Sequence, residues 1–297
     1  TTGGNNVAIG AQSMSTTTAG SNVGVGYATL KTNITGSNLV AIGSEALCKN
    51  NAYDNIAVGY VASQCNTTGI DNIAIGTCTL RLNETGSCNI AIGHNAGKAT
   101  TSGGSTLIGW KAGLANTTGV NTAVGLQALT TNTDGTENVA VGTQALLSND
   151  GGYQNVAVGV AALQLNTDGL RNTAVGCGAL LSNTTGDCNV ALGCQAGYSN
   201  QTGSSQVAIG SKALYSSTVG ENVAVGSCAA TANTSGTQNV AMGHRALCSN
   251  TIGTCNVAIG FNTLMTATTA CGNVAVGSHA LCKNTCGEKN VAIGNNA

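Results

Sequence analysis

The sequence predicts an all-β protein, a parallel β-solenoid of about 18 coils of 16–17 residues. Three observations predict it. One phrase, N-V-A-[VI]-G-x-x-A-L-x-x-N-T-[TD]-G-x-x, recurs from end to end of the 297 residues, and a fixed short period is the mark of a repeat architecture. The phrase is built from Val, Ile, Thr, Asn and Gly, all mediocre or poor helix formers. The composition is not that of an ordinary globule: 7 % charged, 3 % aromatic, no proline and 43 glycines. A typical domain carries about 25 % charged residues, so the core here must be thin and made of small side chains.

Each element of the coil follows from its residues. The frame is set by the glycine that closes each apolar triplet: Gly10, Gly26, Gly43, Gly59, Gly76, Gly93, Gly109, Gly125, Gly142, Gly159, Gly176, Gly193, Gly210, Gly226, Gly243, Gly260, Gly277 and Gly294. The triplet, typically Val-Ala-Ile, alternates large, small, large, so its two branched side chains share one face of a strand. Asn-Thr-Thr-Gly and Asn-Thr-Asp-Gly are turn tetrapeptides, since Asn and Asp bond the nearby backbone and Gly tolerates φ > 0. Coils of this kind stack at about 4.8 Å, so 17 steps give roughly 80 Å. The chain then reads as one repeat domain over 1–297.

Four residues before the glycine stands an asparagine in 15 of 18 repeats: Asn6, Asn22, Asn55, Asn72, Asn89, Asn121, Asn138, Asn155, Asn172, Asn189, Asn222, Asn239, Asn256, Asn273 and Asn290. Leu39, Ser105 and Gln206 are the exceptions. Stacked amides can hydrogen-bond from coil to coil, as Asn ladders do in cross-β assemblies; the alternative is that Asn merely suits the turn. Two residues before the glycine, 16 of 18 repeats have Ala. The expectation is that Val and Ile fill the interior while the alanine row faces outward and packs against a second chain.

With these residues in place, the N-V-A-I-G phrase resembles the YadA-like head repeats of trimeric autotransporter adhesins. The longer N-[TV]-A-[VI]-G-x-x-A-L-x-x-N-T-T-G form is similar to repeats of phage and large-virus tail or surface fibres. The resemblance covers the whole chain. It implies a left-handed β-roll, three chains side by side, and a passive fibre or adhesive role. It carries over the Val/Ile core positions, the Asn row and the closing glycines. The related head coil is nearer 14 residues, and no neck, coiled-coil stalk or membrane-anchor segment is recognisable, which shifts the expectation toward a viral fibre or secreted filament. Polar caps, which solenoids need for solubility, are also missing from the pattern, so the chain is expected to be a piece of a longer fibre or a subunit that stacks end to end.

Several function classes are disfavoured. Ten Lys+Arg against eleven Asp+Glu, a formal net charge of −1, leave no basic footprint for nucleic acid. No run of 18 apolar residues suggests membrane insertion. Acidic residues share no row and the three histidines are far apart, so the expectation is no enzyme, no metal and no cofactor. Disulfides would place the chain outside the cytosol, at a cell or virion surface.

Thirteen cysteines remain to be placed. Cys177 and Cys194 are one coil apart in the same frame position, and Cys48 and Cys65 are also 17 apart. A step of about 4.8 Å falls inside the roughly 4.4–6.8 Å Cα window of a disulfide. Cys255 with Cys271 is a third adjacent-coil candidate, and Cys282 with Cys286 closes a turn; unpaired small fillers are the alternative. Asn33, Asn66, Asn83, Asn116, Asn183, Asn200 and Asn233 form N-x-[ST] sequons, expected in exposed turns as glycosylation candidates or as plain turn chemistry. The position just after the glycine gathers Tyr27, Tyr60, Trp110 and Phe261, with His94 and His244. Such a row would stack on sugar rings or fill a wedge between chains. The expected partners are therefore copies of the chain itself, as a homotrimer or end-to-end filament, and a surface glycan or protein. The leading function is an extracellular fibre shaft; the alternative is an adhesin or viral receptor-binding fibre.

Overall fold

A computed structural model describes residues 3–297; Thr1 and Thr2 lie outside it. It is a β-solenoid. The chain forms two compact units, Thr1–Gly151 and Gly152–Ala297. The first holds nine three-residue strands, β1 (Val7–Ile9) through β9 (Val139–Val141), and the second nine more, β10 (Val156–Val158) through β18 (Val291–Ile293). Among the described residues there is no helix. Within each unit successive strands pair in parallel, triplet on triplet, as in Thr173↔Val190, Ala174↔Ala191 and Val175↔Leu192. Register holds across 16-residue coils as well, as Thr106↔Thr122 shows, because the missing residue comes out of the turn. Between the two asparagines that flank the turn there are five residues from Asn183 to Asn189 but four from Asn116 to Asn121.

The interior is the reverse of the sequence expectation. The middle residue of the strand points in, and Ala41, Ala57, Ala74, Ala174, Ala191 and Ala258 are all 0 % exposed. The flanking Val and Ile are half-buried or exposed. Period two holds, but hydrophobicity alone picks the wrong face, because another element claims the interior. The Ala-Leu pair three and four residues past the glycine closes on the strand from the opposite wall, burying Leu129, Leu146, Leu163, Leu180 and Leu247. The space left opposite admits little more than a methyl group. Where Leu107 replaces the strand alanine, the facing leucine positions hold Gly97 and Gly113. A Cβ on Gly113 would lie 2.6 Å from Leu107 Cδ2, and one on Gly97 2.7 Å from Leu107 Cδ1. Volume is conserved across the two walls, as close packing requires.

The leucine wall adopts an unusual backbone. Leu146, Leu163 and Leu180 have φ of 49, 49 and 48°, a left-handed conformation that costs an L-residue about 1–2 kcal/mol. Two gains offset it: the leucine side chain is buried, and its N–H reaches the neighbouring coil, Leu163 N donating to Ala179 O at 3.0 Å and Leu180 N to Ala196 O at 2.9 Å. The same solution recurs along the wall, so the strain is distributed rather than local.

Two amide ladders fill the rest of the interior. In the row before the strand, Asn55 Oδ1 accepts from Asn72 N at 2.9 Å and Asn72 Oδ1 from Asn89 N at 3.0 Å. In the second unit Asn239, Asn256, Asn273 and Asn290 continue the same pattern, with Nδ2-to-Oδ1 bonds of 3.1–3.2 Å along the last three. Ser105 and Gln206 take part through their own backbone N–H, which donate to Asn89 and Asn189. Leu39 N–H donates to Asn22 Oδ1, but the leucine has no amide with which to continue the ladder.

The second ladder is the turn asparagine row. Asn183 Nδ2 donates to Asn166 Oδ1 at 2.8 Å and Asn200 Nδ2 to Asn183 Oδ1 at 3.0 Å. Each also ties its own turn, Asn183 Nδ2 to Gly186 O and Asn200 Nδ2 to Gly203 O. This corrects the expectation of exposed sequons. Asn33, Asn66, Asn83, Asn116, Asn183, Asn200 and Asn233 are at most 1 % exposed. The same side-chain chemistry that suits Asn to a turn directs its amide inward here, where the backbone of the next coil supplies partners. A glycan on any of these nitrogens has no room.

Candidate functional site

With alanine inside, the outward face of each unit's sheet carries the branched residues. One row runs through the first strand position and one through the third, and neither contains a charged residue. In the second unit the third-position row includes Val158, Val175, Leu192, Met242 and Ile259, 36–41 % exposed. Nine coils at about 4.8 Å, two rows across roughly 7 Å, make about 300 Å² of flat apolar surface per unit. That is the size of the largest apolar patch on an ordinary monomer, a patch that is often functional. The alanine row expected to meet a second chain is thus not at the surface, and the Val/Ile rows are.

The row after the closing glycine borders this strip. Tyr27, Tyr60, Trp110 and Phe261 are 49, 56, 41 and 48 % exposed. The Trp110 ring already carries a cation, Lys111 Nζ lying 4.3 Å from its centroid. Phe261 stacks on His244 at 5.6 Å and meets His279 edge-on at 5.2 Å. Tyr27, Tyr60 and His94 stand on alternate coils, with Ser44 and Thr77 on the coils between. Residue type alone marks the row; its alternation needs the coil count. A second aromatic contact lies off this row: Tyr198 and Tyr215, five residues past their glycines, stack at 5.0 Å. Their shared frame position one coil apart is the signal that points to it.

All 13 cysteines are free thiols, so none of the expected bridges is present, and the rows separate the candidates. Cys177 and Cys194 do share a row one coil apart, both exposed. Cys48 and Cys65 do not. The coil between Gly43 and Gly59 has 16 residues, and Lys49 N donating to Gln64 O sets Lys49 opposite Cys65. Burial first, then the Glu45 carboxylate, pushes the Cys48 thiol above its usual value, which disfavours the thiolate. Cys255 and Cys271 are in adjacent rows with sulfurs turned to different partners. Cys271 Sγ accepts from Thr254 N at 3.3 Å, whereas Cys255 Sγ donates to Gln238 Oε1 at 3.4 Å. Cys282 and Cys286 sit on one coil either side of Asn284, whose amide ties that turn through Gly287.

The one stacked pair should respond to oxidant. Treating the folded chain with oxidised glutathione is expected to join Cys177 to Cys194, with loss of two hydrogens and a cross-linked peptide in the mass spectrum. Cross-linking of Cys255 to Cys271 in preference would contradict the row assignment.

No group of three or more His, Cys, Asp or Glu that could hold a metal ion occurs among the described residues. No helix of the described residues is long and apolar enough to cross a membrane. What the surface offers is a periodic apolar strip with a row of aromatic and hydroxyl side chains along one edge. Comparison with protein-family models, curated proteins and solved structures finds no match.

Proposed function

We propose that the chain is a structural, non-enzymatic shaft of an extracellular fibre, on a cell or virion surface, in which copies associate through the outward face of the sheet. The observation that carries this is the pair of charge-free, mostly β-branched rows on a protein whose interior is already filled by Ala, Leu and Asn. The strip is not needed for the coil's own core, and water is a poor neighbour for it. Two such faces bring identical rows together at the coil period, the geometry of a dry, interdigitated sheet-to-sheet contact. Three copies side by side is the arrangement that the resemblance to adhesin head repeats implies, and the extracellular setting rests on the same resemblance.

The test is the solution mass of the 29.0 kDa chain by light scattering, beside a Val175→Glu/Ile259→Glu variant. The expected result is an oligomer, with a mass near three chains for the trimer, that falls to the monomer mass in the variant while the melting temperature of the coils shifts little. A monomeric parent chain overturns the reading. A second reading, an adhesive or receptor-binding fibre recognising a surface glycan or protein, is favoured by the aromatic row along the strip's edge.

A further inference from the structure

We propose that the first unit carries a binding row for an uncharged, extended β-1,4-linked glycan, with Tyr27, Tyr60 and His94 as its stacking platform. The proposal rests on the second reading above and names the class of ligand that row would take.

The argument starts from the period. In the frame of the closing glycines these three residues follow Gly26, Gly59 and Gly93, each two coils from the next. Parallel pairing keeps every coil of this stretch in register, so three flat side chains recur at about 9.6 Å, twice the coil step. The two tyrosines are 49 and 56 % exposed and His94 is exposed. The His94 ring is held by the Asn95 amide, 2.9 Å from Nε2. On the coils between stand the half-buried hydroxyl residues Ser44 and Thr77. The result is an alternation of ring and hydroxyl.

A β-1,4-linked glycan in its extended twofold form turns each sugar over relative to the last. It therefore offers the same apolar ring face once per disaccharide, a period close to two coil steps, and the sugar between turns its opposite face to the row with its equatorial hydroxyls at the rim. Ring-on-ring stacking at Tyr27, Tyr60 and His94, with hydrogen bonds at Ser44 and Thr77, reads that pattern sugar by sugar. An α-1,4-linked glycan coils and cannot keep three rings in line with a straight row. Charge argues for a neutral ligand. Along this stretch the row and its neighbour on the far side from the strand hold no Lys or Arg. The one carboxylate there, Glu45, already takes a hydrogen bond from the Gln64 amide.

The experiment is calorimetric titration of the full chain with cellohexaose, cellobiose and maltohexaose. Cellohexaose spans three disaccharides and reaches all three rings; cellobiose reaches one. The expected result is at least tenfold tighter binding of cellohexaose than of either other sugar, and about a tenfold loss in Tyr60→Ala, the size of one lost stacking contact. Tyr60→Phe should bind as the parent does, and the melting temperature of both variants should match the parent. Equal binding of cellohexaose and maltohexaose overturns the β-1,4 assignment while leaving a sugar-binding row. Binding untouched by Tyr60→Ala overturns the row as the site. No binding of any of the sugars overturns the proposal, and a glycan-free partner screen on the same protein then decides the second reading separately.

Discussion

Gly176→Ala is expected to destabilise the second unit by about 3 kcal/mol or more. Gly176 has φ of +131°, a region that L side chains rarely enter. Space forbids the change as well: a Cβ there would lie 2.6 Å from Gly193 O and 2.7 Å from Gly193 C. Backbone of the next coil, not a movable side chain, is the obstacle, and shifting it breaks the strand pairing on both sides. Two residues on, Gly178 provides the control. Its φ of +63° is close to those that Gln195 and Lys212 adopt at the same frame position, and the nearest atoms to an added Cβ are at 3.5 Å or beyond. Gly178→Ala should therefore cost about 1 kcal/mol. Chemical denaturation of the two variants checks the contrast. Equal effects would mean that the close approach along the glycine row is not what holds glycine there.

The second large effect is expected in the amide ladder. Asn256 sits between two coils, its Nδ2 donating to Asn239 Oδ1 at 3.1 Å and to Ala270 O at 2.7 Å. Its Oδ1 accepts from Asn273 N at 3.0 Å and Asn273 Nδ2 at 3.2 Å. Asn256→Leu fits the space in principle, since Leu39 occupies this row fully buried. It leaves the Asn273 N–H and the Ala270 carbonyl buried without partners, at about 1–3 kcal/mol each, so a loss of about 4 kcal/mol is expected. Asn256→Ser should lie between, because Ser105 Oγ already accepts from Asn121 N in the same row at 3.3 Å. Denaturation gives the order, and amide exchange at Asn273 should accelerate most in the leucine variant. A leucine variant as stable as the parent would falsify the ladder's structural role.

Legibility differs from element to element. The strands are readable because period two and the closing glycine coincide in every repeat but the one that carries Leu107, and one coil in isolation already shows both. The assignment of inside and outside is not, for a physical reason visible at Ala174 and Val175. Burial of the more hydrophobic residue is only a tendency, and the Ala-Leu wall competes for the same interior. Leu107 facing Gly97 and Gly113 is the available clue, since paired large-for-small exchanges mark residues that touch. The turn asparagines read as surface because Asn, Thr and Gly form turns; that their amides point inward depends on the carbonyls of a neighbouring coil. Cys48 and Cys65 look paired by a count of 17, which one short coil displaces.

The sequence by itself determined the coil, its length, its strand and its turns, because each rests on local chemistry: branched residues in extended backbone, Asn-Thr-Gly in turns, and a glycine closing each strand. The tertiary structure decided which way each row faces. Facing is a contest between walls for a space only one coil wide, and its outcome depends on contacts such as Leu180 N to Ala196 O or Asn189 N to Asn172 Oδ1, which join residues 16 or 17 apart. The small strand residues turn inward because the Ala-Leu wall opposite leaves room for little more than a methyl group, and where Leu107 takes that place the wall gives way at Gly97 and Gly113. The branched ones are left outside, and with them the surface on which this protein's function is proposed to rest.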